Sequence, residues 1–272
     1  DDYDIDITWS DGGSISPSGR GTVSVEKGDD RTFTFVPETG YKVARVYVDG
    51  DLVPAARSYT FKDVVEDHTL QVEFEKTGPT LVYPTNWYNP FTDVHAGDWF
   101  YDSVKFMNGN GLIQGTSGST YSPYTTTTRG MIVTILYRLD GAPATYNGNP
   151  FYDVSANAYY ANAVNWASQA GIVAGYGDGS FHPNDPITRQ QMAAILYRYA
   201  IYKGYYTANQ SNLSAQFYDY SQISSYAVVP MSWAHANGII SGTTPTTLNP
   251  TGTATRAQIT VMLARFCQRF CM

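Results

Sequence analysis

Arginine follows threonine directly at three positions, and these pairs are the residues best suited to bind a charged ligand. The pairs are Thr128-Arg129, Thr188-Arg189 and Thr255-Arg256. Each threonine precedes an apolar helical pattern, which predicts a helix N-cap. The first turn of a helix carries partial positive charge, so an arginine there costs up to about 1 kcal/mol. Three such arginines indicate a negatively charged partner.

Two partners remain open for these arginines. The chain contains three similar segments, and each holds one of these arginines. The same segment also holds an aspartate, namely Asp93, Asp153 or Asp219, with which the arginine can form an ion pair. The alternative is a ligand anion bound by free helix amides and the guanidinium together. The same aspartates are poor candidates for catalysis, because a carboxyl paired with arginine has a lowered pKa and is a weak general acid.

The arginines belong to a unit that occurs three times, at offsets of 60 and 67 residues. Each copy has, in order, a Phe-x-Asp motif, a Gly-x-x-x-Gly segment, a proline and the Thr-Arg pair. The copies of the first two motifs are 91–94, 151–154 and 217–220, then 111–115, 171–175 and 238–242. Helical periodicity before the glycines and after the Thr-Arg pair predicts helix–loop–helix in every copy. Pro230 is expected to interrupt the first helix of the third copy.

No cofactor, metal or catalytic site is predicted. The glycine-rich loop 175–181 contains one carboxylate, Asp178, whereas a calcium loop needs several. Cys267 and Cys271 lack zinc-ligand spacing to any histidine, and a disulfide between them on one helix face would be strained. There is no Gly-x-Ser-x-Gly elbow and no phosphate-binding loop.

Charge divides the chain into two parts. Residues 1–76 contain 16 Asp and Glu against 8 Lys and Arg, and residues 77–272 contain 8 against 9. The absence of a basic stripe argues against nucleic acid as a partner. No apolar run approaches the roughly 20 residues that span a bilayer, so no membrane insertion is predicted. With no signal peptide at residue 1, an export signal is expected to have been removed or to lie outside this sequence. The 23 tyrosines are typical of surfaces that contact carbohydrate.

Residues 1–76 are predicted to form a small all-β module. Alternating apolar residues indicate strands at 22–25, 31–36, 43–48 and 70–74, and Asp49-Gly50 predicts a hairpin turn. Residues 77–90, which contain three prolines, are predicted to be a linker held on the first repeat by Trp87 and Tyr88.

The ordered motifs of residues 90–272 resemble the S-layer homology family. The second copy matches best, through 151–154, 159–160, 171–172, 178–183 and 188–189. The resemblance implies a three-repeat helical spindle with pseudo-threefold symmetry and ligand grooves between adjacent repeats. It also implies secondary cell-wall polysaccharide as the partner, often bound through a pyruvylated sugar. Residues 37–41, 46–50, 59–61, 67–69 and 74 are similar to divergent internalin-type B repeats, which implies a spacer or display role.

Carried over position by position, the resemblance implies three ligand-binding residues per repeat. They are Asp93, Trp99 and Arg129, then Asp153, Tyr159 and Arg189, then Asp219, Tyr226 and Arg256. The family's glutamate is replaced by Met131, Gln191 and Gln258, and residues 243–248 lack the expected Asp-Gly-x-Phe loop. Grooves built from the first two repeats are therefore expected to be the functional ones. Trp166 and Trp233 are expected in the core.

Together these patterns predict an α+β protein with two domains. The predicted boundaries are 1–76 for the all-β module, 77–90 for the linker, and 91–146, 147–212 and 213–272 for the repeats. The predicted function is non-covalent anchoring of a bacterial surface protein, with upstream cargo domains, to an acidic wall glycan outside the cell. The alternative is a protein–protein adhesin or S-layer assembly stalk that binds no glycan.

Overall fold

The chain folds as two compact units, which meet in sequence at residues 77 and 78. A computed structural model describes residues 2–17, 20–38, 41–76, 80–145, 148–205 and 207–272. The first unit contains the strands and the second contains the helices, so the predicted α+β composition is confirmed. None of the helices formed by the described residues is long and apolar enough to cross a membrane.

The first unit consists of two antiparallel-rich sheets that enclose an apolar core. Its strands are β1 Asp2–Trp9, β2 Gly13–Ser16, β3 Gly21–Glu26, β4 Arg31–Pro37, β5 Tyr41–Val48, β6 Asp51–Val53, β7 Ser58–Phe61 and β8 His68–Lys76. One sheet has the order β3-β1-β8-β5-β6 and the other β2-β4-β7. Alternating residues such as Ile5, Ile7 and Phe33 are buried between them. The four predicted strands are confirmed.

The turn between β5 and β6 also agrees with its prediction. Asp49 and Gly50 both have positive φ, at 53° and 85°, which is the backbone of a two-residue hairpin turn that matches strand twist. Two positions of the predicted internalin-type motif, Thr39 and Gly40, lie outside the described residues.

The second unit contains three helix–loop–helix repeats, as predicted. Its helices are α1 Tyr101–Gly109, α2 Arg129–Leu139, α3 Ala161–Gln169, α4 Arg189–Tyr202, α5 Val228–Ala236 and α6 Arg256–Phe270. Thr128, Thr188 and Thr255 cap α2, α4 and α6 through their hydroxyl oxygens. The last two caps are complete capping boxes.

Two expectations about single residues had opposite outcomes. The interruption expected at Pro230 is wrong, because this proline is the third residue of α5, where the amide it lacks would have no partner within the helix. The prediction that Trp166 and Trp233 are core residues is confirmed, since their exposed fractions are 5% and 0%.

The three repeats contact one another in a closed cycle. The first helix of each repeat packs against the second helix of the preceding one, which pairs α3 with α2, α5 with α4, and α1 with α6. A ring of backbone hydrogen bonds joins the repeats next to their caps. Ile187 donates to the carbonyl of Thr127, Thr127 to that of Ala254, and Ala254 to that of Ile187, at 2.9 to 3.1 Å. The third repeat therefore binds the first directly.

The stretch predicted as a linker is largely packed on the first repeat. Residues 77–79 lie outside the described residues, but Leu81 is buried in the core of the second unit. The indole of Trp87 donates to Oδ1 of Asn108 at 2.8 Å, as expected. The expectation for Tyr88 is wrong, because this side chain is 89% exposed. The boundary predicted between residues 146 and 147 also lies outside the described residues.

Candidate functional site

The starts of α2, α4 and α6 are covered by the loop of the next repeat in the cycle. At α2, the amides of Arg129 and Gly130 donate to the carbonyls of Asp185 and Pro183 at 3.1 and 2.8 Å. Residues 189–190 make the same bonds to 252 and 250, and residues 256–257 to 125 and 123. The alternative in which free helix amides hold a ligand anion is therefore wrong, because backbone carbonyls occupy those amides.

The guanidinium of each Thr-Arg pair bonds the same neighbouring repeat. Nε of Arg129 donates to the carbonyl of Phe181 at 3.0 Å, and Nη2 lies 3.4 Å from the carbonyl of Ala174. The corresponding acceptors are Leu248 and Ser241 for Arg189, and Tyr121 and Gln114 for Arg256. Each arginine thus joins two repeats through backbone carbonyls.

The motif aspartates accept hydrogen bonds from the backbone amides of the same loop residues. Asp153 accepts from the amides of Phe181 and His182 at 2.8 and 2.7 Å. Asp93 holds Tyr121 and Ser122 in this way, and Asp219 holds Leu248 and Asn249. Ion pairing of each arginine with the aspartate of its own repeat is therefore wrong for the described residues. Instead, an arginine and the next repeat's aspartate bond one shared residue, at its carbonyl and its amide.

Burial and aromatic contacts set the electrostatics of these arginines. Arg129 is 7% exposed, and burial lowers its pKa while Tyr176, Asp185 and Tyr226 raise it. Burial likewise lowers the pKa of Arg189, which the nearby Asp219 opposes. Both arginines stay cationic, because the ordinary pKa of an arginine side chain lies far above neutral pH. The guanidinium carbon of Arg129 also lies 4.6 Å from the ring centroid of Phe181.

Two open cavities of about 210 and 290 Å³ lie at equivalent positions between the repeats. We name them the Arg129 groove and the Arg256 groove. Each combines a Thr-Arg arginine, the Gly-x-x-x-Gly loop and second helix of the next repeat, and an aromatic residue of the repeat after that. The Arg129 groove is lined by residues including Arg129, 173–176, Gln191, Arg198 and Tyr226. The Arg256 groove is lined by residues including Arg256, 113–116, Met131, Arg138 and Tyr159.

Each groove contains a second arginine that the sequence reasoning missed. Arg138 and Arg198 stand nine residues after the Thr-Arg arginine of their own repeat, and they face the grooves from α2 and α4. Nη1 of Arg138 donates to the carbonyl of Leu112 at 3.3 Å. Arginine recurs at this spacing in all three repeats, the third copy being Arg265, and this recurrence could have identified these arginines from the sequence. At the third position, Arg189 and Arg265 both bond Ser241.

The structure brings together only part of the predicted site. Arg129 and Tyr226 line one groove, and Arg256 and Tyr159 line the other. The three aspartates line neither groove, and Trp99 is 61% exposed on the surface. The preference for grooves from the first two repeats stays a prediction, and both grooves include a residue of the third repeat.

Comparison with known proteins agrees with this repeat structure. Residues 90–130, 150–193 and 216–260 match the S-layer homology domain family. An endoglucanase of Bacillus sp. (strain KSM-635) is 34% identical over 172 residues, which are 62% of this chain and 18% of the endoglucanase. The surface-layer 125 kDa protein of Lysinibacillus sphaericus is 31% identical over 167 residues, 60% of this chain and 14% of that protein. An amylopullulanase of Thermoanaerobacterium thermosulfurigenes is 29% identical over 219 residues, 80% of this chain and 11% of the enzyme.

This chain spans less than a fifth of the length of each of these relatives. The enzyme names therefore describe proteins of which only a small part is matched. The resemblance of residues 1–76 to internalin-type B repeats finds no support in these matches. The three matched segments coincide with the three helix–loop–helix repeats, so residues 90–260 are an array of three S-layer homology domains, a cell-wall anchoring module, and the protein is located at the cell surface or cell wall.

Proposed function

We propose that the second unit anchors the protein by binding an acidic wall polysaccharide in the Arg129 and Arg256 grooves. The observation that carries this proposal is the pair of guanidinium groups in each groove. Arg198 lies close enough to Arg129 to disfavour its charge and lower its pKa, in addition to the larger effect of burial. Among the residues that the structure describes, each groove is lined by two arginines and by no Asp or Glu. Two cations in a groove whose lining contains no carboxylate attract an anion, although the nearby Asp185 offsets part of the Arg129 charge.

The neighbouring aromatic residues favour a sugar as the carrier of that anion. Tyr159 and Tyr226 are 64% and 48% exposed, and each borders one groove. An exposed tyrosine offers an apolar ring face to a pyranose and a hydroxyl to its polar edge. A pyruvylated sugar places a carboxylate directly beside a pyranose ring. It therefore matches the combination of paired guanidinium groups and one aromatic ring.

We also propose the organisation that this anchoring requires. The repeats 91–146, 147–212 and 213–272 would be related by a pseudo-threefold axis, which the cycle of contacts through Thr127, Ile187 and Ala254 supports. Residues 1–76 would be a separate domain, in keeping with the two compact units. Cargo domains elsewhere in the polypeptide are proposed by analogy with the greater length of the relatives.

A wall pull-down with groove variants tests the proposal. Arg138→Ala/Arg198→Ala removes one guanidinium from each groove and leaves the arginines that join the repeats. A charge-assisted hydrogen bond contributes about 1.5–3 kcal/mol, so we expect binding to polysaccharide-bearing walls to weaken at least about tenfold. The matched control is Arg269→Ala, which removes an exposed arginine at the far end of α6. Undiminished binding by the double variant would refute the proposal.

The nature of the anion is tested with the same walls after removal of their pyruvyl groups by mild acid. Weaker wild-type binding to the treated walls is the expected result. Equal binding before and after treatment would exclude the pyruvyl carboxylate as the ligand. If the chain instead binds surface proteins from which wall polymer has been removed, and the arginine substitutions do not weaken that binding, the alternative function as a protein–protein stalk is favoured.

A further inference from the structure

The two grooves differ at two equivalent positions that face their arginines. The residue after the second loop glycine is Tyr176 in the Arg129 groove and Thr116 in the Arg256 groove. The third residue of the second helix is Gln191 in one and Met131 in the other. All four residues line their groove, so these exchanges alter the walls that a ligand meets.

In the Arg129 groove these residues form a chain of hydrogen bonds that orients a phenol. Oε1 of Gln191 accepts from the amide of Thr188 at 3.0 Å, which completes the capping box. Its Nε2 then donates to the hydroxyl oxygen of Tyr176 at 3.2 Å. Because that oxygen accepts from the amide, its own proton is available for an acceptor in the groove.

The ring of Tyr176 is held on other sides as well. The guanidinium carbon of Arg129 lies 4.9 Å from its centroid, and the His182 ring lies 4.7 Å from it. Tyr176 still has half of its surface exposed. Tyr226 borders the same groove, and its phenol is near the same groups. Burial raises the pKa of Tyr226, Tyr176 raises it further, and Arg129 lowers it. The groove therefore offers two phenols and an amide around its guanidinium groups.

The Arg256 groove has a thioether in place of the Gln191 amide, while Gln114 and Tyr159 line it elsewhere. Sδ of Met131 lies 4.0 Å from Nη1 of Arg256, whereas Ile135 and its counterpart Ile195 line the two grooves alike. The hydroxyl of Thr116 is bonded to Ser122 at 2.6 Å. The hydroxyl of Thr134 donates to the carbonyl of Gly130 at 2.8 Å. A thioether in place of an amide beside the guanidinium suits a carboxylate that carries a methyl group.

We propose that the two grooves select different acidic sugars, through Tyr176 and Gln191 in one and Met131 in the other. The Arg129 groove selects a carboxylate flanked by hydroxyl groups, as in a uronic acid. The Arg256 groove selects a carboxylate on a methyl-bearing carbon, as in a pyruvyl ketal. A site whose polar groups hydrogen-bond a ligand discriminates strongly against an analogue that leaves them unpaired. This inference rests on the proposed function and specifies the ligand of each groove.

Calorimetric titration of the full chain with two probes tests the selectivity. The probes are methyl glucuronide and a methyl hexopyranoside carrying a 4,6-pyruvyl ketal. Arg138→Ala disables the Arg256 groove and Arg198→Ala the Arg129 groove, so each variant reports mainly on the other site. We expect Arg138→Ala to prefer the glucuronide about tenfold and Arg198→Ala to prefer the ketal several-fold. Equal preference ratios in the two variants would overturn the inference.

Substitution of the differing residues provides the second arm. In the Arg138→Ala background, Tyr176→Phe keeps the ring and removes only the hydroxyl, and should weaken the glucuronide about tenfold with little effect on the ketal. In the Arg198→Ala background, Met131→Gln should reduce the preference for the ketal. Unchanged ratios in both would contradict the inference even if wall binding persists. Failure of the wild type to bind either probe or the walls would instead refute the proposed function.

Discussion

Replacing Asp153 with alanine should destabilise the second unit, because this carboxylate organises the loop on which α2 begins. It accepts from the amides of Phe181 and His182 at 2.8 and 2.7 Å. It also supports His182 at a φ of 55°, a left-handed conformation that costs a non-glycine residue about 1–2 kcal/mol. Hydrogen bonds to charged groups contribute about 1.5–3 kcal/mol each. Because Asp153 is only half-buried, water can replace part of this loss, and we expect about 3 kcal/mol in total.

The measurement is urea and thermal unfolding followed by tryptophan fluorescence. Trp166 and Trp233 are buried in the second unit, so their emission reports on its unfolding. For a unit of this size, about 3 kcal/mol corresponds to a fall in Tm of about 6–12 °C. The control is Asp102→Ala, which removes an exposed carboxylate from the first turn of α1 and should cost less than about 1 kcal/mol. A loss below about 1 kcal/mol for Asp153→Ala would show that the aspartate does not hold the loop, and would refute the reasoning.

Three further predictions concern buried or shifted groups outside the grooves. Asp140→Asn should lower the unfolding free energy by about 3–5 kcal/mol, because it leaves the Lys203 ammonium, 2.7 Å away, without its buried partner. Asp140→Leu/Lys203→Met should recover part of that loss in the same urea titration, since Tyr199 and Tyr202 still lose the carboxylate to which they donate. A double variant no better than the single one would contradict this. A hydrogen bond from Cys267 lowers the pKa of the Cys271 thiol. Iodoacetamide treatment of the folded protein, followed by mass mapping, should therefore label Cys271 before Cys267. Equal labelling of both thiols would be inconsistent with that contact. Burial lowers the pKa of His235 below its usual 6.5; the folded state therefore binds this proton less well than the unfolded state, and the associated stability, present above pH 6.5, should fall as the pH drops below it. The Tm difference between pH 7.5 and pH 5 should accordingly shrink in His235→Gln, and an unchanged difference would assign the pH dependence elsewhere.

Residue types at the helix starts carried most of the predictable information. The threonine caps and the Gln191 and Gln258 capping boxes follow from local spacing, and the structure confirms them. The acceptors of the Arg129 guanidinium were not predictable in this way. They are backbone carbonyls of another repeat, and every residue type carries a carbonyl. The bonds of Asp153 to backbone amides were hidden for the same reason.

Other features were visible in the sequence but had no meaning before the packing was known. Arg138 and Arg198 recur at a constant spacing, yet only the contact of α2 and α4 with the grooves gives them a role. Strand β1 was not predicted, although Ile5 and Ile7 alternate regularly with acidic residues. It is paired with β8 in parallel, a contact between distant segments that no local turn signal indicates.

The ring of hydrogen bonds through Thr127, Ile187 and Ala254 also limits how this module can change in evolution. In an open solenoid, deleting one repeat removes one interface and leaves the others intact. Here each repeat supplies both a donor and an acceptor to the ring, so deletion of any one breaks two junctions and leaves the remaining pair unable to close. Adding a fourth repeat would require a wider ring. We therefore expect wall affinity to evolve through groove substitutions or through duplication of the whole triplet. We also expect a circularly permuted triplet, which keeps all three junctions, to be more stable than a fragment that has lost one repeat.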